Sequence, residues 1–217
     1  MLTTSDLFRG LSESDITEFI KNNGGFTAYY KVGEEIFSQG GIPQYLFILE
    51  EGSVVVENIS LNGQRSIVNR FTKSGTVFGE VYLYLSPRAY DYSCVADIET
   101  KICKIPKNAF VMENKEFHNS KVINNMLLIL SQKAFYLNQK LLVQSAKTLR
   151  EKLSRFFLMK ASDKNLVLEF NREELADFLG VARPSISREI MKMKREDLID
   201  VKGNKIIIHR EKLSKFL

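Results

Sequence analysis

Residues Asn171 to Ile199 leave a chain of this kind the fewest ways to fold. They read NREELADFLGVARPSISREIMKMKREDLI. Asn171 with Glu174 three residues on has the form of a capping box, so a helix opens there. Leu175, Phe178 and Leu179 share one face of it. Gly180 ends it, because glycine enters the left-handed conformation without a Cβ penalty. Val181-Ala182-Arg183 is a tight connection. Pro184 then stands at the first position of a second helix, where no N–H is needed. Ile186, Ile190 and Met193 recur at helical spacing toward the inside, and Ser187, Arg188, Met191 and Arg195 fall on the opposite face. Two short helices, a glycine turn and a basic outer face make a helix-turn-helix pattern. A helical hairpin with a solvated charged face has the same periodicity. The turn spacing, the proline start and the outward Arg/Ser pair together favour DNA contact. Downstream, Asp200-Val201, the turn Lys202-Gly203-Asn204-Lys205 and Ile206-Ile207-Ile208 read as strand, turn, strand. That is a wing whose basic turn is placed to meet a phosphate.

The charge is distributed as such a role requires. The 217 residues carry a net charge of +5. Residues 145–217 hold 17 Lys and Arg against 11 Asp and Glu, whereas residues 1–144 hold 14 against 15. The positive excess therefore travels with the helix-turn-helix. At 44% hydrophobic and 26% charged, the composition is that of a globular chain with room for one or two cores. Cys94 and Cys103 are the only cysteines, too few for a disulfide scaffold. No signal-peptide pattern and no membrane-length apolar run is present, so a soluble cytoplasmic protein with no membrane partner is expected. The chain has no Ser/His/Asp set, metal-ligand spacing, P-loop or dinucleotide fingerprint, and its two histidines, His118 and His209, are far apart. Catalysis has nothing to stand on, and no enzyme and no metal are expected.

Upstream, Ser12 with Asp15 opens a helix whose Ile16, Phe19 and Ile20 face inward, and Gly24-Gly25 ends it. From Phe26 to about Ile105 the pattern turns to short β-type runs broken by glycine, such as Tyr45 to Leu49, Val54 to Val56 and Lys101 to Ile105. Many short strands with regular turns imply a sandwich or barrel, and Pro106 closes it. A long helix follows, from about Ser120 to about Gln144. Its Ile123, Leu127, Leu130, Ala134, Leu137 and Leu141 alternate in steps of four and three, the a/d seam of a coiled coil, which predicts a parallel homodimer. The competing reading is a helix packed on its own strands. Leu128, Phe135 and Leu142 offer a neighbouring face for that, and one face for each role is the economical assignment. Ser145 to Thr148 reads as a hinge without Pro or Gly, and hence as nearly continuous helix. Leu149 to Lys160 is amphipathic with Leu153, Phe156 and Phe157 inward, and Asn165 to Phe170 reads as a short strand.

EELADFLGVARPSISREI resembles the helix-turn-helix signature of the CRP/FNR family of bacterial transcription regulators. The resemblance continues upstream over nearly the whole chain. Val32 to Phe37 and Ile48 to Val54 resemble the β-roll of the cyclic-nucleotide-binding fold, and Gly75-Thr76-Val77-Phe78-Gly79-Glu80 resembles the start of its phosphate-binding cassette. The fold class implied is α+β. Residues 1–116 would form a cyclic-nucleotide-binding-like β-roll (jelly roll) that senses an effector. Residues 117–147 would form a dimerisation helix and hinge, and 148–217 a winged helix-turn-helix.

The function implied is a dimeric, sequence-specific DNA-binding regulator. Its partners would be an inverted repeat in double-stranded DNA, RNA polymerase and an unidentified small-molecule effector. The alternative is a cyclic-nucleotide-binding module acting through a protein partner. Positions matching Arg183, Pro184, Ser187 and Arg188 supply base and nearby phosphate contacts in the family. Ser185 joins them, and Lys192 and Lys205 are placed for phosphate. Many cyclic-AMP-type members carry Glu where this chain has Pro184, so the half-site should differ at that base pair.

The effector pocket would comprise Phe78, Gly79, Glu80, Arg88, Tyr90 and Asn138. Glu80 matches the residue that meets the ribose. Counting back from Cys94-Val95-Ala96, however, puts Tyr90 where the phosphate-pairing Arg belongs, and no Ser or Thr stands near Leu137-Asn138 to meet a purine. Cyclic AMP is therefore not expected, and Glu80 and Arg88 are left to pair locally. An iron–sulfur cluster needs four cysteines and haem needs axial ligands, so neither cofactor is expected. A thiol switch is unmotivated, since strand cysteines of this kind are usually buried and inert.

Overall fold

The computed structural model describes residues 2–60, 62–63, 65–85, 88–110, 117–161, 165–167, 172–203 and 205–217. The chain divides into two compact units, Met1–Ser131 and Gln132–Leu217. The first begins with short 3-10 turns and helix α1 (Glu13–Asn22). Ser12 caps α1 in a reciprocal box: its hydroxyl accepts from the Asp15 N–H at 3.2 Å, and its own N–H donates to the Asp15 carboxylate at 3.1 Å.

Strands β1 (Phe26–Tyr30), β2 (Glu35–Phe37), β3 (Tyr45–Glu51), β4 (Val54–Ile59), β5 (Arg65–Phe71) and β6 (Val77–Phe78) follow. After them come a single helical turn α2 (Glu80–Leu83), then β7 (Ser93–Ala96) and β8 (Thr100–Pro106). They form two antiparallel four-stranded sheets, ordered β1-β8-β3-β6 and β2-β7-β4-β5. Pro106 is the last paired residue of β8, opposite Tyr45, where a missing N–H costs least.

At β3 the first sheet is buried on both faces, which explains the unbroken apolar run of that strand. Phe47 and Leu49 point between the sheets with Ile36, Val54, Phe78, Cys94 and Ile102. Leu46 and Ile48 point the other way, with Cys103 and Ile105, against Leu7, Phe8, Ile16, Phe19 and Phe110. Alternation fails here because both faces are dry.

Helix α3 (Phe117–Gln144) begins three residues before the sequence reading. The stripe it presents to its own chain is not the expected one. Val122, Met126 and Ile129 are buried in the core of the first unit, and Leu130 is half-buried against it. Asn125 donates from Nδ2 to the carbonyls of Leu7 (2.9 Å) and Arg9 (3.0 Å), tying the N-terminal turns to the helix. Further along, Tyr136 meets Phe178 (ring centroids 6.1 Å apart) and Val143 is buried in the core of the second unit. Leu128, Phe135 and Leu142, the face offered by periodicity for this packing, are all exposed. The helix is apolar around most of its girth, so spacing alone could not select the packed side. Leu127, Ala134, Leu137 and Leu141 are exposed as well, and Ile123 is intermediate.

The second unit continues from α3 into α4 (Leu149–Lys160). The junction is a real break rather than continuous helix: residues 145–148 leave α3, and Thr148 caps α4 by accepting from the Glu151 N–H at 3.1 Å. Then come β9 (Asn165–Val167), α5 (Arg172–Leu179), α6 (Arg183–Arg195), β10 (Ile199–Lys202), β11 (Lys205–Ile208) and a terminal turn α7 (Arg210–Leu213). The sheet order is β10-β11-β9, all antiparallel. Asn171, and residues 168–170 of the expected strand, lie outside the described residues. One core gathers Leu153, Phe156 and Phe157 of α4 with Leu175 and Leu179 of α5, Ile186, Ile190 and Met193 of α6, and Ile199, Ile206 and Ile208 of the wing. No helix among the described residues is long and apolar enough to cross a membrane.

Candidate nucleic-acid interface

Helix α5 stops where its local chemistry dictates. Gly180 has φ 65°, a left-handed conformation in which a side chain is strained. The carbonyls left free at this end find side-chain donors: Gln144 Nε2 donates to Phe178 O at 2.8 Å and Lys152 Nζ to Leu179 O at 3.2 Å. The helix-turn-helix is thus pinned at its turn by α3 and α4.

Helix α6 starts at Arg183, so Pro184 is its second residue rather than its first; either place lacks an intrahelical acceptor for the missing N–H. Ile186, Ile190 and Met193 face the core, each at most 1% exposed. Arg183, Pro184, Ser187, Arg188, Met191, Lys192 and Arg195 are exposed, and Ser185 is half-buried. Among the described residues, no ion pair engages Arg183, Arg188, Lys192 or Arg195. The outer face of α6 is therefore a row of cations with a serine and a methionine between them. Lys202 and Lys205 pair directly across the wing, so the strands reach further than the sequence reading. Both lysines are exposed.

A network that sequence reasoning missed lies behind this face. Arg150, the second residue of α4, donates from Nε to Glu189 Oε1 at 2.7 Å and from Nη2 to Glu196 Oε1 at 3.0 Å, while its Nη1 also meets Glu196 Oε2. Its guanidinium lies 5.3 Å from the centre of the Phe216 ring. At the end of α6, Asp197 is held in a left-handed conformation (φ 56°) and pairs with Lys212 at 2.5 Å. These partners are separated by 15 to 46 residues, so no local spacing announces them.

The residues expected to form an effector pocket do not all meet. Phe78 and Glu80 are buried, and Gly79 between them has φ 78°. A Cβ on Gly79 would lie 2.8 Å from the Phe47 ring, so the close approach of ring and backbone requires glycine. Arg88 is exposed and pairs with Asp91 at 3.0 Å, in place of the local pair expected with Glu80. Tyr90 is buried, stacked on Phe37 at 4.1 Å and edge-on to Tyr82 at 5.0 Å, and its hydroxyl has no hydrogen-bond partner among the described residues. Burial raises its pKa above the usual phenol value. Phe37, Phe47, Phe71 and Phe78 continue the stack inward. Asn138 is exposed on the part of α3 that belongs to the second unit. An open cleft of about 560 Å³ lies elsewhere on the first unit, lined by Tyr29, Tyr30, Glu34 and Lys101 among others, and includes none of the six expected residues.

Comparison with known proteins matches both halves. Residues 27–112 fit the family model of the cyclic nucleotide-binding domain, and residues 151–216 that of the Crp-like helix-turn-helix domain. The chain is 26% identical to Electron transport regulator A of Shewanella oneidensis over 81% of its own length and 72% of that protein's. It is 24% identical to the nitrogen fixation regulation protein FixK of Rhizobium meliloti, over 83% and 81%. In fold it is similar to the catabolite activator protein of Thermus thermophilus, with a TM-score of 0.57 at 19% identity over 98% of both chains. It is also similar to FixK2 of Bradyrhizobium japonicum, with a TM-score of 0.51 at 19% identity over 88% and 96%. With a cyclic-nucleotide-binding β-roll ahead of a Crp-like helix-turn-helix, the chain belongs to the CRP/FNR family of DNA-binding transcription regulators.

Proposed function

We propose that this regulator acts as a homodimer that reads an inverted repeat through α6 and answers to an effector other than cyclic AMP. The observation that carries the reading is the outer face of α6, where Arg183, Pro184, Ser187 and Arg188 are presented together and, among the described residues, neither arginine is held in an ion pair. Arginine takes guanine O6 and N7 with two parallel N–H groups, so Arg183 and Arg188 are assigned to base edges. Ser187 is an adaptable contact beside them. Pro184 cannot accept from cytosine, so the half-site differs there from sites read by relatives with Glu. Lys192 and Lys205 are assigned to phosphates, which position without specifying. Two such helices related by a two-fold axis read half-sites about one helical turn apart. RNA polymerase is the expected protein partner of such a regulator.

Selection on randomised DNA tests the assignment. The wild type should return an inverted repeat. Arg188→Ala should bind roughly 1–3 kcal/mol more weakly and lose preference at one base pair per half-site. An unchanged sequence logo with uniformly weaker binding would make Arg188 a backbone clamp.

The effector reading rests on Tyr90, which by count along the sequence takes the position of a phosphate-pairing Arg and is stacked on Phe37, and on Arg88, which is engaged by Asp91. Calorimetry with cyclic AMP should give no binding in the micromolar range. A micromolar constant abolished by Arg88→Ala would overturn it.

A further inference from the structure

We infer that Arg150 is a positioning residue for the DNA-reading helix: it sets the rotation and slide of α6 from the first turn of α4. The inference rests on the reading of α6 as the helix that meets DNA. Its two acceptors lie seven residues apart, about two turns along one side: Glu189 on α6 and Glu196 at its C-terminal cap. Arg150 spans both from a single planar fork, with all three of its nitrogens engaged. Its side chain is only 18% exposed, and the Phe216 ring backs it. Few rotamers remain to it.

Apolar packing decides which side of α6 faces inward but tolerates small rotations, because Ile186, Ile190 and Met193 meet a surface of similar chemistry throughout. Hydrogen bonds to two carboxylates do not slide in this way. A turn of α6 by about 20° about its axis moves side-chain tips on the order of 2 Å. That exceeds what a bidentate base contact tolerates. Glu189 adjoins Arg188 in sequence, so the fork grips the helix beside the residue it must aim.

Arg150 has a second effect. Glu189 and Glu196 place negative charge on the helix that approaches a polyanion, and Arg150 offsets it. The hydrogen bond from Arg150 holds the Glu196 carboxyl below the usual glutamate range. Local charge and helix aim therefore depend on one side chain, and an experiment must separate them.

The test uses the full chain with Arg150→Gln, Arg150→Lys and the triple variant Arg150→Gln/Glu189→Gln/Glu196→Gln. Each is carried through selection on randomised DNA, titration of specific against mixed DNA, and thermal unfolding. For Arg150→Gln the ratio of specific to non-specific affinity should fall about tenfold, the worth of one good base contact, with preference flattened at the positions assigned to Arg183 and Arg188. Arg150→Lys reaches one carboxylate and should recover only part of this. The triple variant should regain affinity for mixed DNA, since the exposed carboxylates are gone, but not the sequence preference. An unchanged logo in Arg150→Gln, or full recovery of the logo in the triple variant, overturns the inference. If Arg150→Gln fails to fold, Arg150→Lys and Glu189→Gln carry the same comparison with the same two outcomes. A wild type that selects no sequence at all would instead overturn the DNA reading beneath it.

Discussion

Cys94 and Cys103 show how far placement overrides residue type. Each is a free thiol, at most 1% exposed. Burial pushes both up to about 12, with Glu57 adding to the effect at Cys94 and Glu50 at Cys103. The thiolate is the reactive form, so burial keeps both sites almost wholly in the unreactive thiol form at pH 8. Both cysteines should therefore resist a disulfide reagent such as DTNB in the native protein and react at the rate of unfolding. Labelling within seconds at pH 8 without denaturant would show an open state of the roll that the packing does not contain. The strand position of each cysteine was readable from its neighbours. The depth was not, because it depends on the first sheet being covered on its outer face by α1 and α3.

At the scale of elements, α3 carries an open apolar surface. Leu127, Leu137 and Leu141 are each more than half exposed, and so are Phe135 and Leu142. At about 25 cal/mol per Å² of apolar area removed from water, a row of such side chains is a strong drive to association. A second copy of the same helix is the occupant that the a/d spacing predicts. Leu137→Glu with Leu141→Glu should give monomers in analytical ultracentrifugation, with DNA binding weakened because half the contacts are lost. Leu130 is the wrong place for this test, since it is half-buried against the roll core and a charge there would damage the fold instead. A dimer that survives both glutamates would move the interface off α3. α1 and α6 were legible because their signals are local: a Ser/Asp capping box in one, a glycine turn and an early proline in the other.

For the whole molecule, the charge asymmetry between residues 1–144 and 145–217 makes a statement about salt. Binding to mixed-sequence DNA should weaken steeply with ionic strength. Lys192→Ala and Lys205→Ala should each lower the slope of log K against log salt by about one without altering the logo. A slope unchanged in both variants would take these lysines off the phosphates. The architecture follows from features that act over a few residues: short strands cut by glycine, a long helix, and a basic helix-turn-helix with its wing. The sequence by itself therefore determined the main elements, their order and the basic face of α6, since backbone preference and periodicity are properties of neighbours in the chain. Tertiary structure alone decided three other things. It chose Val122, Met126 and Ile129 as the packed stripe of α3 from a helix apolar on several sides. It drove Tyr90 into an aromatic stack with Phe37, and it brought Arg150 to Glu189 and Glu196 across 39 and 46 residues. Each of these depends on which surfaces meet after the chain has folded back, and only the full set of competing contacts selects them.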